Sequence, residues 1–214
     1  MRLFLISLWL FTCSLVGFSQ KLEVGTKSKY SDGAYHTTSV YMVDAPVSRL
    51  DAVLHEIYMG IQNQPTKNLK WLWKNLGHHD NVENDIAFSE RGFSFDPATS
   101  KYVLKLGVAM KKGDNPMLFN VEGDMKEFYS GGRKNLLLTV TKRIKILDNA
   151  RFSIVSVPQP GGKSAIQVKS DLDFGWFFSM FFSESRYRSI MEWRIQGLTM
   201  NIKKRAEGDT SSNY

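Results

Sequence analysis

Two carboxylates on one predicted strand have the spacing that acid–base chemistry would need. Glu122 and Asp124 are separated by one residue, and alternate residues of a strand lie on the same face. In a cavity such a pair could act as general acid and general base, whereas on a solvated outer face it would take no part in catalysis. Glu90 and Glu127 lie elsewhere on the predicted strands. The sequence does not choose between these placements, and we assign no catalytic residue.

One run of three consecutive residues could supply metal ligands. His78, His79 and Asp80 are consecutive, and imidazole and carboxylate groups suit zinc and similar ions. Adjacent side chains in an extended loop point apart, however, and a site needs further ligands that the sequence does not place. Cys13 is the only cysteine, so neither a disulfide framework nor a thiolate site is expected. We therefore predict no metal site and no cofactor.

The sequence also lacks the patterns of nucleophilic catalysis and of phosphate binding. There is no Gly-x-Ser-x-Gly motif, which marks the nucleophile of many hydrolases. Gly131-Gly132 and Gly161-Gly162 do not have the spacing of a phosphate-binding loop. Both pairs lie between predicted strands, where glycine permits a positive φ. We interpret them as turns.

The N-terminus has the composition of an export signal. Arg2 precedes a mostly apolar run from Leu3 to Phe18, and small residues stand just before Gln20. A charged start, an apolar run shorter than the roughly 20 residues of a membrane span, and small residues at its end are typical of a cleavable signal peptide. We expect residues 1–19 to be removed and the mature protein to be periplasmic or extracellular.

The charge balance limits the class of partner. The chain has 28 Lys and Arg against 21 Asp and Glu, a net charge of +7, which can favour nucleic acid, anionic lipid or acidic polymers. The positive residues are scattered, and an exported protein seldom meets nucleic acid, so we expect no nucleic-acid partner. Contact with a membrane surface stays open, and the oligomeric state is not determined by the sequence.

The first half of the predicted domain contains one strand and one clear helix. Residues 20–34 are mostly polar and indicate a loosely held arm. Residues 36–43 are rich in β-branched and aromatic types, which favours a strand. A helix is expected after Pro46, capped by Asp44 or Ser48, with apolar residues at helical spacing. Within 59–84 we expect a second short helix, and the role of this segment is undetermined.

The pattern of the second half predicts a series of antiparallel strands. Six segments with a period of two are separated by turn residues: 85–95, 102–111, 117–128, 134–147, 150–157 and 163–173. Connections this short join antiparallel neighbours. With the strand at 36–43, the sequence predicts an antiparallel sheet of six to seven strands.

A long amphipathic helix is expected at residues 184–207, before a disordered tail at 208–214. Its apolar residues recur at steps of four, four, three and four, which forms a single stripe: Tyr187, Met191, Ile195, Leu198 and Ile202. The charged residues of the segment, Arg194 among them, are placed mostly off this stripe. A helix of this length can cover one face of a sheet.

In this order of elements the chain resembles the helix-grip domains of the START and birch-pollen-allergen type. The resemblance is carried by Val43-Asp44-Ala45-Pro46-Val47, by the strands from Asp85 to Asp173, and by the stretch from Met191 to Leu198, and it covers residues 35–207. It implies an α+β fold, with a curved antiparallel sheet wrapped around the C-terminal helix. Similar proteins bind lipids, sterols or other apolar molecules between sheet and helix, and a minority catalyse cyclisation or hydrolysis.

An aromatic run just before the last helix supplies candidate ligand-binding residues. The segment Phe174 to Phe182 contains one Trp and five Phe, and large rings offer contact area to an apolar molecule. We predict a ligand site formed by Trp176, Phe177, Phe181 and Trp193. The leading hypothesis is a non-enzymatic, exported protein that binds an apolar or lipid-like molecule. The alternatives are an enzyme of the same fold acting on a small hydrophobic substrate, and an envelope protein that contacts a membrane or partner protein.

Overall fold

The computed structural model describes residues 23–64, 67, 87–110, 113–180 and 183–208. The predicted signal peptide at 1–19, the greater part of the segment 59–84 and nearly all of the tail at 208–214 lie outside these residues. So does Phe181, and of Phe177 only the backbone is described.

The described strands form one antiparallel sheet of eight, rather than the predicted six to seven. The sheet is curved, and its strand order is β1-β2-β8-β7-β6-β5-β4-β3. The strands are β1 Gly25–Ser31, β2 Ala34–Val43, β3 Ala87–Asp96, β4 Lys101–Ala109, β5 Met117–Ser130, β6 Arg133–Val140, β7 Asn149–Pro158 and β8 Ser164–Asp173. Each neighbouring pair is antiparallel, which confirms the predicted class of sheet.

The additional strand comes from the residues predicted to be a polar arm. β1 pairs with β2 from Gly25 opposite Val40 to Ser31 opposite Ala34. Hydroxyl groups take the place of apolar cross-strand contacts, because Thr26 bonds Ser39 and Ser28 bonds Thr37, each at 2.8 Å between the oxygens. β1 therefore lacks the apolar alternation by which the other strands were identified.

The first helix, α1 Val47–Asn63, lies against the sheet through its apolar face. Five aliphatic residues at helical spacing are buried: Leu50, Val53, Leu54, Ile57 and Ile61. The expected side-chain cap by Asp44 or Ser48 is wrong, since no side chain caps the helix. Pro46 occupies the N-cap position, and its carbonyl oxygen accepts a hydrogen bond of 2.9 Å from the amide of Arg49.

The predicted C-terminal helix is present, with an irregular turn inside it. After the short α2 Trp176–Ser179 come α3 Glu184–Tyr187, a π-helical turn Arg188–Glu192, and α4 Trp193–Ala206. We refer to Glu184–Ala206 as the C-terminal helix. The wider π turn adds a residue to one turn, which allows Ile190 and Ile195, five residues apart, both to be buried. Met191 is half-buried, and the other residues of the predicted stripe are buried.

The core lies between the concave face of the sheet, α1 and the C-terminal helix. A smaller cluster beside it joins Tyr35 and Val108 of the sheet to Tyr187 and Ile190 of the helix. The rings of Tyr35 and Tyr187 stack with centroids 4.1 Å apart and an interplanar angle of 10°. This contact fixes the start of the C-terminal helix on the sheet.

Candidate functional site

A cavity of about 330 Å³ lies between the concave face of the sheet and the first half of the C-terminal helix. A long helix crossing a strongly curved sheet need not touch it everywhere, and the gap is left as a pocket. The described residues that line it are Ile57, Ile61, Phe93, Leu104, Leu106, Met125, Leu136, Leu138, Ile146, Leu147, Phe152, Ile154, Ser170, Leu172, Phe174, Met191, Arg194, Ile195 and Leu198.

The wall is apolar because side chains along each strand alternate between the two faces of the sheet, and those on the cavity face are mostly apolar. On β6, Leu136 and Leu138 face the cavity, whereas Leu137 between them lies on the opposite face. On β7 the same rule places Phe152 and Ile154 in the wall. Among the described residues, Ser170 and Arg194 are the polar members of the lining. The site can therefore hold a molecule that is largely hydrocarbon.

The hydroxyl of Ser170 belongs to a buried hydrogen-bond network. The hydroxyls of Tyr187 and Thr37 share a hydrogen bond of 2.8 Å, and Ser170 also bonds the Tyr187 hydroxyl. Burial raises the pKa of Tyr187 to about 12, an increase that these hydrogen bonds partly oppose. The phenol is therefore neutral at physiological pH, and the network holds the helix on β2 and β8.

Arg194 lies on the cavity side of the C-terminal helix, which corrects its placement off the apolar stripe. Its neighbours in the cavity wall are Met191, Ile195 and Leu198, at offsets of three, one and four residues. The offsets of three and four residues place Met191 and Leu198 on the same helical face as Arg194. The side chain is half-buried. The prediction was wrong because the stripe was identified from apolar residues alone, although the spacing from Met191 and Leu198 already places Arg194 beside them.

A charged cluster follows the apolar wall toward α1. Along β5, β6 and β7, the next residues on the concave face after Met125, Leu136 and Ile154 are Glu127, Lys134 and Ser156. The Nζ of Lys134, a residue only 7% exposed, donates to Oε1 of Glu127 over 3.0 Å. His55 Nδ1 lies 2.8 Å from Glu127 Oε2, and Ser156 donates to Asp51. The bonds made by His55 and Asp51 join α1 to the sheet.

The two candidate acid–base residues lie on the outer face of the sheet. Glu122 and Asp124 alternate with Val121 and Met125, which are buried on the concave side. Glu122 accepts a hydrogen bond of 2.8 Å from the Nζ of Lys142 in an exposed ion pair. The sequence left open whether this pair lies in a cavity or on the solvated outer face, and the structure places it on the outer face.

The predicted ligand-binding residues occupy different places. Trp176 is 70% exposed and borders a separate surface hollow, together with Leu118, Arg143 and Lys145. Trp193 is half-buried and is not among the described residues that line the cavity. The side chains of Phe177 and Phe181 lie outside the described part of the chain. A ligand-binding role for these four residues stays a prediction.

Among the described side chains of the aromatic run, Phe174 lines the cavity, and the close packing at the next residue, Gly175, explains its direction. Gly175 is buried, and a Cβ atom there would lie 2.5 Å from the carbonyl oxygen of Lys145. Only glycine allows this approach of two backbones. The close contact holds the start of the run against the connection between β6 and β7, with Phe174 inside and Trp176 outside.

Within the described residues, no group of three or more His, Cys, Asp or Glu side chains is arranged to hold a metal ion. None of the helices in the described ranges combines the length and the apolar composition needed to cross a membrane.

Comparison with known proteins gives a likeness of structure and none of sequence. Neither the protein-family models nor the sequences of curated proteins match this chain. Norcoclaurine synthase from Thalictrum flavum matches 86% of this chain and 96% of its own at 10% identity, with a TM-score of 0.48. The Zhui aromatase/cyclase from Streptomyces sp. R1128 matches 81% and 94%, again at 10% identity and a TM-score of 0.48.

The di-domain ARO/CYC StfQ from the steffimycin biosynthetic pathway reaches a TM-score of 0.50 at 8% identity. The match covers 83% of this chain and 52% of StfQ, so the chain spans about half the length of that protein. At such identities the likeness concerns the fold alone. The curved antiparallel sheet, the C-terminal helix that covers it and this likeness together show that the chain has the helix-grip fold of the START and birch-pollen-allergen type.

Proposed function

We propose that this protein binds an apolar or amphipathic small molecule in the cavity between the sheet and the C-terminal helix, and that it does so without catalysing a reaction. The observation that carries the proposal is the composition of the wall, which is aliphatic and aromatic apart from Ser170 and Arg194 among the described residues. The Ser170 hydroxyl is bound to Tyr187, and a guanidinium stays protonated. These groups favour recognition over proton transfer.

The size of the cavity limits the ligand. At 330 Å³ it lies at the lower end of the range of about 300–1,000 Å³ for small-molecule sites. With roughly 30 Å³ for each water-sized group, it accommodates on the order of ten such groups. A medium-length alkyl chain or a small ring system fits this volume.

The test uses the two leucines that lie next to each other on β6. Leu138→Trp fills the cavity from its wall, and Leu137→Trp places the same ring on the opposite face of the same strand. The neutral fluorescent probe N-phenyl-1-naphthylamine should bind the parent and Leu137→Trp with micromolar affinity or better. It should lose at least about tenfold in affinity for Leu138→Trp, because the ring occupies its site.

Two outcomes would contradict this proposal. One is equal binding of the probe by both tryptophan variants, and the other is no binding by the folded parent protein. Extraction of the purified protein followed by mass spectrometry would identify a ligand that is retained from the cell. Turnover of an extracted molecule by the protein would favour the alternative, an enzyme of the same fold.

A second candidate function is contact with an anionic membrane surface. It is favoured by Leu118 and Trp176, which are 69% and 70% exposed and border the same hollow as Arg143 and Lys145. Exposed apolar side chains next to cations suit the interface of an anionic bilayer. The protein should then sediment with phosphatidylglycerol vesicles more than with phosphatidylcholine vesicles.

Trp176→Ala separates the two roles of this tryptophan. If Trp176 contacts the ligand, as the sequence predicts, the alanine variant should bind N-phenyl-1-naphthylamine more weakly and keep the parent's melting temperature. If it contacts the membrane, vesicle sedimentation should fall while binding of the probe is unchanged. A variant that matches the parent in both assays would exclude both roles.

Export by the segment 1–19 is part of the same proposal. The charged start, the apolar run and the small residues before Gln20 support it. N-terminal sequencing of the protein isolated from its native cell should begin near Gln20. A folded protein that retains Met1 would contradict export by cleavage.

A further inference from the structure

Phe174 borders two spaces, the apolar cavity and a hollow of about 400 Å³ at the surface of the protein. The described residues that line this surface hollow are Tyr30, Gly33, Tyr35, Phe174, Ser179 and Glu184. Among the residues that the structure describes, Phe174 is the one that lines both spaces. Its half-buried side chain is therefore part of the boundary between the cavity and the surface hollow.

The register of the sheet shows that the two spaces are neighbours at this boundary. Tyr35 of β2 lines the surface hollow, and Leu172, its partner on β8, lines the cavity. Neighbouring strands are only about 4.8 Å apart. Phe174 follows Leu172 by two residues, directly after the end of β8. A path from the hollow to the cavity at this place is accordingly short.

Two other rings at the boundary are fixed, whereas that of Phe174 is not. Tyr35 and Tyr187 are buried and stack on each other, and the Tyr187 hydroxyl shares a hydrogen bond with Thr37. Phe174 meets both rings at an angle, with its centroid 5.9 Å from that of Tyr35 and 6.2 Å from that of Tyr187. Because its side chain has no polar atom, its rotation leaves no hydrogen bond unmade. Of these three rings, that of Phe174 turns at the lowest cost.

Passage of a ligand between the strands of the cavity wall is closed. The strands β4 to β8 are paired in one continuous antiparallel ladder. A molecule that passed between two of them would have to break backbone hydrogen bonds. A route past the end of β8 breaks none, which favours the boundary at Phe174.

We propose that the surface hollow is the entrance of the cavity, and that the ring of Phe174 is a gate that an apolar ligand displaces as it enters and leaves. This inference rests on the proposed binding function and adds the route by which the ligand arrives. Gly175 is packed against the carbonyl oxygen of Lys145, which holds the backbone beside the gate, so the gate opens when the side chain turns. The rings of Tyr30 and Tyr35 offer the ligand an apolar surface before it enters.

The rates of binding test the gate, because a gate controls how fast a ligand enters, whereas a lost contact changes chiefly how fast it leaves. Stopped-flow fluorescence of N-phenyl-1-naphthylamine gives both rate constants. Phe174→Ala should raise the association rate constant by about tenfold, since no ring has to move aside. Phe152→Ala is the matched control, because it removes a half-buried ring from the cavity wall that does not border the hollow. Its association rate constant should stay within about twofold of the parent's.

A substitution in the surface hollow tests the route and leaves the cavity unchanged. Ser179 is exposed and lines the hollow, so Ser179→Trp should obstruct it. Association and dissociation should both slow by about fivefold or more, with an unchanged dissociation constant, because one route serves both directions.

Ser189→Trp is the control for the obstructed hollow. Ser189 is also exposed, and each of the two serine hydroxyls donates to the carbonyl oxygen three residues before it. Ser189 is not among the residues that line the hollow, so this variant should match the parent in both rate constants. Near-parent melting temperatures would show that the variants are compared in their folded state.

The outcomes separate this inference from the proposed function. An unchanged association rate constant in Phe174→Ala or in Ser179→Trp, with normal affinity of the parent, would overturn the gated entrance and leave the binding function intact. Equal acceleration by Phe174→Ala and Phe152→Ala would also overturn it, since it would indicate a general loosening of the cavity. If Phe174→Ala does not fold, Ser179→Trp and its control decide the route. If the folded parent did not bind the probe, the proposed function itself would fail.

Discussion

The two halves of the C-terminal helix lie over the same sheet, but only one of them touches it fully. From Thr199 onward the inward residues are not among those that line the cavity, and Thr199, Ile202 and Ala206 are all buried. In the first half, Met191 and Arg194 are half-buried and border the cavity. One continuous face of a helix therefore seals the core at one end and lines a pocket at the other.

This difference shows that an amphipathic stripe does not by itself distinguish a packed contact from a cavity wall. The segment α4 Trp193–Ala206 packs chiefly against β2. The first half of the C-terminal helix is held on the sheet through the Tyr187 contact, and beyond that contact it borders the cavity. Substitutions in the two halves should then have different consequences.

The largest effect is expected for Leu198→Asp, at the junction of the two halves. Leu198 is 5% exposed, and an unpaired carboxylate there would be buried among apolar groups. The free energy of unfolding should fall by several kcal/mol, on the order of 4. Arg205→Asp, which breaks the surface ion pair with Glu56, is the control and should cost about 1 kcal/mol or less.

Urea unfolding followed by circular dichroism measures both changes. Equal midpoints for Leu198→Asp and the parent would show that the stripe is not part of the core. The comparison of the two halves would then lose its basis.

A pair of alanine substitutions contrasts the halves directly. Ile202→Ala removes a fully buried side chain from close packing and should cost about 3 kcal/mol. Met191→Ala removes a half-buried side chain that already borders empty space, so it should cost about 1 kcal/mol. Its main effect should be on ligand binding, because it enlarges the cavity. The two costs are compared by urea unfolding, and a larger cost for Met191→Ala would reverse the interpretation of the two halves.

At neutral pH the smallest effect concerns the tyrosine network, whose larger contribution appears at alkaline pH. The phenol of Tyr187 ionises near pH 10 in the unfolded chain, and burial raises its pKa to about 12 in the folded chain. As the pH rises through this window the unfolded state releases its proton first. The contribution of the neutral phenol to the free energy of unfolding is therefore complete below about pH 10. It decreases toward pH 12, by up to about 1.4 kcal/mol per pH unit for one group.

Tyr187→Phe isolates the contribution of that hydroxyl. At neutral pH the variant should lose about 1 kcal/mol with the hydrogen bond to Thr37. Between pH 10 and 12 its stability should fall less steeply than that of the parent. The remaining slope includes Tyr102, whose pKa burial also raises to about 12. Chemical unfolding at several pH values gives both slopes, and identical slopes would contradict the assigned cause.

The order of elements was predictable because it depends on local periodicity. Alternation on β4 to β8 and the stripe from Tyr187 to Ile202 both follow from which residues are apolar. β1 was missed, although Asp32-Gly33 is a strong hairpin signal, with φ of 54° and 83°. The polar side chains of β1 form hydrogen bonds with side chains of β2. The strand therefore has no alternation of apolar residues by which it could be recognised.

The candidate site was predicted less completely than the fold. The sequence indicated a pocket between sheet and helix, but it selected residues of the aromatic run, of which Trp176 lies on the surface. Among the described residues, the wall is made largely by Leu138, Phe152 and other ordinary strand residues. Such residues have no distinguishing signal, because a leucine that lines a cavity and a leucine that packs in a core have the same pattern.

The sequence by itself therefore determined the antiparallel sheet, the helix that covers it and the face of each that is apolar, because these depend on the types and spacing of neighbouring residues. Tertiary structure alone decided that the helix leaves a space beside Met191 and that Arg194 borders it. The curvature of the sheet and the π turn at Arg188–Glu192 set the distance between helix and strands. That distance depends on how all the elements pack together, which no local pattern records.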